Sequence, residues 1–351
     1  MKLNKMPSIG QYRDIVKHIK HTAQYQGMGV NGDPIMDRNA KMPILSVAGT
    51  TKGHGTCAGV SMFNDVIYCQ SKKNVITVKK DNAGFAAFVE KRMNIVDDMF
   101  NEIKHLNPEI DFNENIVTIM GEFVGCGIQK GVAVSQLDKK MLIFGIKVKP
   151  IDDEIPSYWI EHDIFHHKTL NKFDIYNIKQ FGTFELDIDF NEPLMYYNQM
   201  IEMMEGVEKE CPIGKYFGVS GLGEGIVFKT SFKDNEFQFK IKGVLHAGKS
   251  KIKVQKKVDD VKLQKIIDVV DQVTPQWRLV QIFDKVFDVL NGGEGNIKGT
   301  GDYLRALITD VWKEETDLIV ENDLTPKDVN ARISKVGRDY FMNRLDEEVG
   351  L

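Results

Sequence analysis

The spacing of apolar positions changes several times along the chain, and each change predicts a different element. Ile9, Tyr12, Ile15, Val16 and Ile19 recur at helical steps behind Ser8. The Ser8 hydroxyl suits a helix N-cap, and the Gly27 to Gly32 region ends that helix. After a loop up to Pro43, short β-branched runs broken by Gly, Asn and Asp over 44–78 predict antiparallel strands and turns. Between 83 and 106 the period lengthens. Phe85, Phe88, Val89, Met93, Val96, Phe100, Ile103 and Leu106 fall at steps of three and four, predicting one long amphipathic helix packed on a sheet. Strands are expected at 116–120, 141–148, 225–230 and 236–241. A second helix follows Pro193, with Met200, Ile201, Met204 and Val207 inward.

Beyond residue 258 the strand signals stop and helical patterns run to the end. Thr274-Pro275 and Thr325-Pro326 each place a capping hydroxyl before a proline, and Gly292-Gly293 supplies a break. No repeat of fixed period or low-complexity tract interrupts this order. The pattern predicts an α+β fold: a domain of antiparallel sheets with flanking helices over 1–257, then a small all-α domain over 258–351.

Composition adds mainly exclusions. The 351 residues, 42% of them hydrophobic, suffice for one large core and a smaller one. A net charge of -4 gives no global pull toward nucleic acid, so such binding must come from local clusters of the 46 basic residues. Cys57, Cys69, Cys126 and Cys211 form no Cys-x-x-Cys pair, which argues against a zinc site or a disulfide framework and for a reducing compartment. The first ten residues lack the apolar core of a signal peptide, and no apolar run reaches the ~20 residues that cross a bilayer. A soluble, cytoplasmic protein with no membrane partner, acting as a monomer, is the expectation.

The candidate chemistry begins at Thr51-Lys52-Gly53-His54-Gly55-Thr56, a lysine in a glycine-rich turn after a strand signal. Alone it is a weak pattern. Three others follow in order: Gly121-Glu122 at the end of the strand over 116–120, Glu224-Gly225-Ile226-Val227-Phe228-Lys229 heading another strand, and Phe239-Lys240-Ile241-Lys242. Period-two alternation puts Lys240 and Lys242 on one face, as two cations gripping one polyanionic group would require.

These residues resemble the ordered motifs of the covalent nucleotidyltransferases, the superfamily of nucleic-acid ligases and mRNA capping enzymes. The nearest likeness is to the phage-type RNA ligase 2 family. Gly121-Glu122-Phe123-Val124-Gly125-Cys126-Gly127-Ile128-Gln129-Lys130-Gly131 is similar to that family's Gly-Glu-Phe-x-Gly-x-Gly-Ile-Gln-Lys stretch, and His54 matches its Lys-x-His-Gly-Thr. The resemblance implies that Lys52 is the nucleophile that captures AMP from ATP. It places Thr51, His54, Gly55 and Thr56 around the nucleotide, Glu122 on the ribose and Phe144 against adenine. Glu224 would organise Mg2+ or Mn2+, and Lys240 and Lys242 would hold phosphate oxygens. Lys72 stands where the family has an arginine, Cys57 where it has an asparagine, and Gly145 where it has an aspartate. The implied partners are RNA ends, with a nicked duplex among the candidate substrates, in a cell that for a phage-type enzyme would be an infected host.

The physics of such a nucleophile is demanding. At pH 7 an unperturbed lysine is the free amine in only about one copy in 2500, a handicap of roughly 4.6 kcal/mol. Cations and burial around the site supply the remedy, and the same cations neutralise a triphosphate.

Other readings stand beside this one. Gly243-Val244-Leu245-His246-Ala247-Gly248-Lys249-Ser250 satisfies the P-loop pattern, but the run over 237–242 before it alternates like a half-exposed antiparallel strand. Lys240, Lys242, Lys249, Lys251, Lys253, Lys256 and Lys257 form the densest positive stretch, either a solvated face or an RNA contact. His162, His166 and His167 lack a third ligand at metal spacing and read as polar surface. Trp277 is a candidate for base stacking or for helix packing. An ATP-dependent DNA ligase, a capping enzyme and an idle end-binding protein share much of the pattern. The helical tail disfavours the first two, which carry a β-barrel oligonucleotide-binding domain there.

Overall fold

The computed structural model describes residues 2–6, 8–29, 34–81, 83–165, 168–233, 235–243, 259–289 and 293–348. The P-loop-like stretch beyond Gly243, the lysines over 249–257, His166, His167 and Gly292 lie outside them. The chain divides into two compact units, one of residues 1–15, 45–188 and 199–255, the other of 16–44, 189–198 and 256–351.

Two sheets build the first unit. One runs β1 (Gly10–Gln11), β14 (Asn235–Lys242), β13 (Gly225–Phe232), β4 (Ile44–Thr51) and β12 (Thr183–Asp189). The other runs β10 (Tyr158–Ile160), β9 (Lys140–Pro150), β8 (Asn115–Val124), β5 (Thr56–Phe63), β6 (Val66–Ser71) and β7 (Val75–Ile76), with β11 (Ile175–Asn177) also on β9. β14, β13 and β4 pair antiparallel in order, as do β10, β9, β8, β5, β6 and β7, while β1 with β14 and β11 with β9 make short parallel contacts. The α+β architecture is therefore the one expected, with open sheets and flanking helices.

The helix expected over 83–106 is two helices, α2 (Phe85–Glu90) and α3 (Met93–Leu106), after α1 (Tyr12–Gln24). Arg92 leaves helical geometry at φ -124°, and its guanidinium bonds Phe88 O, Phe173 O and Asp174, so a tertiary anchor breaks the helix. Phe85, Phe88, Val89, Val96, Phe100 and Ile103 are buried with the sheet residues Ile119 and Phe123, each such side chain contributing about 1.5–3 kcal/mol. Met93 and Leu106, at the ends of α3, are exposed. Ser8 caps nothing: α1 starts at Tyr12, because Gly10 and Gln11 are taken as a strand by Phe239 and Lys240.

After α4 (Lys168–Asn171), the helix expected beyond Pro193 opens with a short tight turn and continues as α5 (Tyr197–Lys209), burying Met200, Ile201, Met204 and Val207. A brief α6 (Pro212–Tyr216) follows.

The second unit contains the hairpin β2 (Tyr25–Met28) with β3 (Pro34–Met36), inside the stretch expected as helix end and loop. Its helices are α7 (Asp260–Val273), α8 (Gln276–Phe287), α9 (Thr300–Glu321) and α10 (Pro326–Glu348), around Phe283, Tyr303, Leu307, Val311 and Phe341. Thr325 starts α10 with Asp328 reaching back to its amide and hydroxyl. Thr274 instead closes α7, its hydroxyl donating to Val270 O, and Pro275 stands one residue before α8. Trp277 is 60% exposed, which removes it from the helix core. Among the described residues no helix is long and apolar enough to cross a membrane.

Candidate active site

Strand β4 ends at Thr51, and the Lys52 amide extends its ladder by donating to Gly225 O at 2.8 Å. Gly225 has φ +145°, and a β-carbon there would lie 2.1 Å from Ile241 O, so glycine alone lets β13 begin against β14. The preceding Glu224 is thereby set opposite Lys52. Lys52 Nζ donates to Glu224 Oε2 at 2.6 Å, His54 Nδ1 lies 3.1 Å from that oxygen, and Lys242 Nζ lies 2.5 Å from Oε1.

Glu224 is 3% exposed. Burial pushes its pKa up, but the His54 hydrogen bond, the Lys52 charge and the Lys242 and Lys52 hydrogen bonds outweigh burial and hold the carboxyl below the usual range. Along β14, Phe237, Phe239 and Ile241 are buried while Lys240 and Lys242 share the other, half-buried face, as the alternation predicts. Lys240 donates to Ile9 O at 2.7 Å. Its pKa is lowered by burial and then by Lys242, Lys52 and Lys72, against Glu224, so these cations act on one place.

Across from them, Glu122 on β8 accepts from the Gly55 amide at 3.0 Å. A β-carbon on Gly55 would lie 2.1 Å from Phe123 O, which explains the glycine in this turn. Burial, then Lys52 and the Gly55 amide acting against it and Glu224 reinforcing it, leave the Glu122 carboxyl at about 7. Thr56 and Cys57 begin β5 opposite Phe123 and Glu122. The Cys57 thiol is pushed up to about 12 by burial and Glu122, and its sulfur lies 2.8 Å from Met6 Sδ. An inert thiol thus occupies the position of the expected asparagine.

Lys52, Thr51, Gly53, Cys57, Glu122, Phe144, Met6 and Ile9 line a chamber of ≈ 90 Å³. The Thr51 hydroxyl is buried and has no hydrogen-bond partner among the described residues, which suits a ligand contact. A wider cavity of ≈ 410 Å³ shares Thr50, Phe144, Ile178, Val227, Lys229 and Gln238 with it. His162 lines the wider cavity; it is buried, not polar surface, and burial with Lys229 and Lys179 lowers its pKa to about 4. Lys72 and Lys73 are exposed; Lys72 donates to Ser8 Oγ at 3.5 Å and lies outside the chamber lining.

Two contributors carried no assignment in the sequence. Lys229 donates to Phe144 O at 3.0 Å beside the chamber, and its place in the Glu224 to Lys229 run was the available signal. The segment 2–6 lies across the second sheet: Asn4 pairs with Gln70, Thr118 and Lys147 O, and Met6 reaches the chamber. No local pattern announces that segment. Among the described residues no group of three or more His, Cys, Asp or Glu is arranged to hold a metal. The strand before Gly243 is antiparallel to β13, where a P-loop needs a parallel one.

The geometry gathers Lys52, His54, Gly55, Glu122, Glu224, Lys240 and Lys242 from motifs far apart in sequence. The sequence model of the family described as RNA ligase matches residues 45–242, more than half of the chain and all of these motifs. The chain belongs to the RNA ligase family. Solved structures similar to this RNA ligase family member include three of Naegleria gruberi RNA ligase. A mutant with AMP and Mn is 16% identical, with TM-score 0.41 over 69% of this chain and 56% of that one. The protein with PPi is 17% identical, with TM-score 0.40 and the same coverage. A further mutant with ATP and Mn is 16% identical, with TM-score 0.42 over 70% and 57%. The chain thus spans little more than half the length of these proteins. No curated protein matches it.

Proposed function

We propose that this chain is an ATP-dependent RNA ligase of the phage-type RNA ligase 2 kind, working through a lysyl-AMP intermediate. The observation that carries the reading is the buried Glu224 carboxylate bonded by Lys52, His54 and Lys242, with Glu122 fixing the turn behind the nucleophile.

In the first step the Lys52 amine attacks the α-phosphorus of ATP; an N–P bond forms, a P–O bond breaks and pyrophosphate leaves. An oxygen of an RNA 5'-phosphate then attacks the same phosphorus, breaking the N–P bond and freeing the amine. Finally a 3'-hydroxyl attacks the adenylylated 5'-phosphorus, forming the phosphodiester as AMP departs. Lys240 and Lys242 neutralise phosphate oxygens in each step. Phe144 and the Thr51 hydroxyl take the base and its neighbourhood, and Glu122 takes the ribose.

Mg2+ and Mn2+ fit here as ions held by one carboxylate together with phosphate oxygens, a donor set that Glu224 supplies without a cluster of protein ligands. Glu224 would hold the ion, which supplies charge neutralisation at the phosphates.

Residues 1–257 form the nucleotidyltransferase portion in this reading, followed by the helical domain of 258–351. The experiment is sealing of nicked duplexes that carry RNA or DNA on the 3'-hydroxyl side. Preferred sealing of the RNA-bearing nick is expected; efficient sealing of all-DNA nicks alone would overturn RNA in favour of DNA.

A further inference from the structure

The ≈ 410 Å³ cavity has a wall that the chemistry above leaves unused. Between β8 and β9 the register passes from Gly121 opposite Ile143 to Met120 opposite Gly145, so Phe144 is the extra residue of a bulge. Bulges re-aim side chains, and here Phe144 and its neighbour Gly145 both line this cavity. A β-carbon on Gly145 would lie 2.5 Å from Trp159 Cζ3 and 2.8 Å from Cε3. The six-membered ring of Trp159 therefore occupies the space that a side chain at 145 would fill. It is flanked by the Lys229 ammonium at 5.6 Å and the Lys147 ammonium at 6.0 Å from the ring centre.

We propose that Trp159 is the end wall of the nucleobase seat and limits the size of the base it accepts; this rests on ATP capture at Lys52. A purine joins its ribose through N9, and its C6 edge is the one farthest from that bond. With the α-phosphate at Lys52 and the ring against Phe144, the C6 edge points away from Lys52. Phe144, Val227 and Lys229 line both spaces, whereas Trp159 lines only the wider one, so the C6 edge faces Trp159. The Gly145 backbone behind the ring prevents it from retreating. A bulky group on N6 meets that ring, whereas one on C8 lies nearer the ribose end of the base.

The test reads nucleotide adducts by intact-protein mass spectrometry with ATP, N6-benzyl-ATP and 8-bromo-ATP on the full chain. Wild type is expected to form an adduct with ATP and little with N6-benzyl-ATP. Trp159→Ala is expected to narrow the preference for ATP over the N6 analogue by roughly tenfold to a hundredfold, the effect of relieving an overpacked contact. The preference over the C8 analogue stays unchanged. Trp159→Phe, which keeps an aromatic ring in the strand, gives a smaller shift of the same sign and serves should the alanine variant not fold. An unaltered N6 preference in a folded, ATP-reactive variant overturns the inference, as does an equal gain for both analogues. No adduct from wild type and ATP would instead defeat the proposed function itself.

Discussion

The Lys52 ammonium and the buried Glu224 carboxylate form a partly buried contact of 2.6 Å, with Lys242 on the other carboxylate oxygen. In the proposed reaction Lys52 must first lose a proton, since an ammonium has no lone pair to offer a phosphorus. Phosphates arriving beside Lys240 and Lys242 would compete with Glu224 for those cations.

Removing the carboxylate leaves half-buried cations without their counter-charge. Glu224→Ala is expected to lower stability by about 1–3 kcal/mol at neutral pH and to cut adduct formation severely. Because the folded-state pKa of Glu224 is depressed, its stabilisation is present above the ordinary carboxylate range and lost as pH falls through the depressed value. Urea melts of wild type and variant should therefore converge in acid.

Glu122 has the opposite sign. Its carboxyl is raised to about 7, so the folded state keeps a proton that the unfolded chain releases, and stability falls as pH rises from about 4.5 to 7. Glu122→Gln should abolish that slope and gain ~1–3 kcal/mol on wild type at pH 8, discounted for partial exposure of the side chain. Equal pH slopes in the two proteins would refute it.

Gly55→Ala places a methyl against Phe123 O and must move the turn away from Glu122. Adduct formation is expected to fall at least about a hundredfold, as for misplacement of a reacting group by about an ångström. A variant that reacts at the wild-type rate would show that the turn does not position Lys52.

Asn4 is fully buried and joins Gln70, Thr118 and Lys147 O across three strands. Asn4→Ala should cost about 1–3 kcal/mol by orphaning its partners. Because Met6 lines the chamber, KM for ATP should rise more than kcat falls; an unchanged KM would separate the segment from the site.

Most of the fold was legible where one element decides its own period. The alternation through Phe237, Phe239 and Ile241 gave β14 and the shared face of Lys240 and Lys242, and the steps from Phe85 to Ile103 gave the buried helical face. Tertiary contacts decided the rest. Arg92 breaks the helix by bonding Phe173 O and Asp174, and Gly10 and Gln11 become a strand because β14 offers them an edge. At the site, ordered motifs announced Lys52, Glu122 and Glu224. The burial of His162, the ring of Trp159 over Gly145 and the reach of Met6 depend on distant chain segments meeting, which no local spacing encodes.

Covalent capture of the nucleotide at Lys52 is the central claim, and peptide mapping of the adduct tests it most directly. After incubation with ATP and Mg2+, digestion should place AMP on the peptide bearing Lys52, and Lys52→Ala should carry none. AMP on another residue, or a Lys52→Ala protein labelled as fully as wild type, would contradict it.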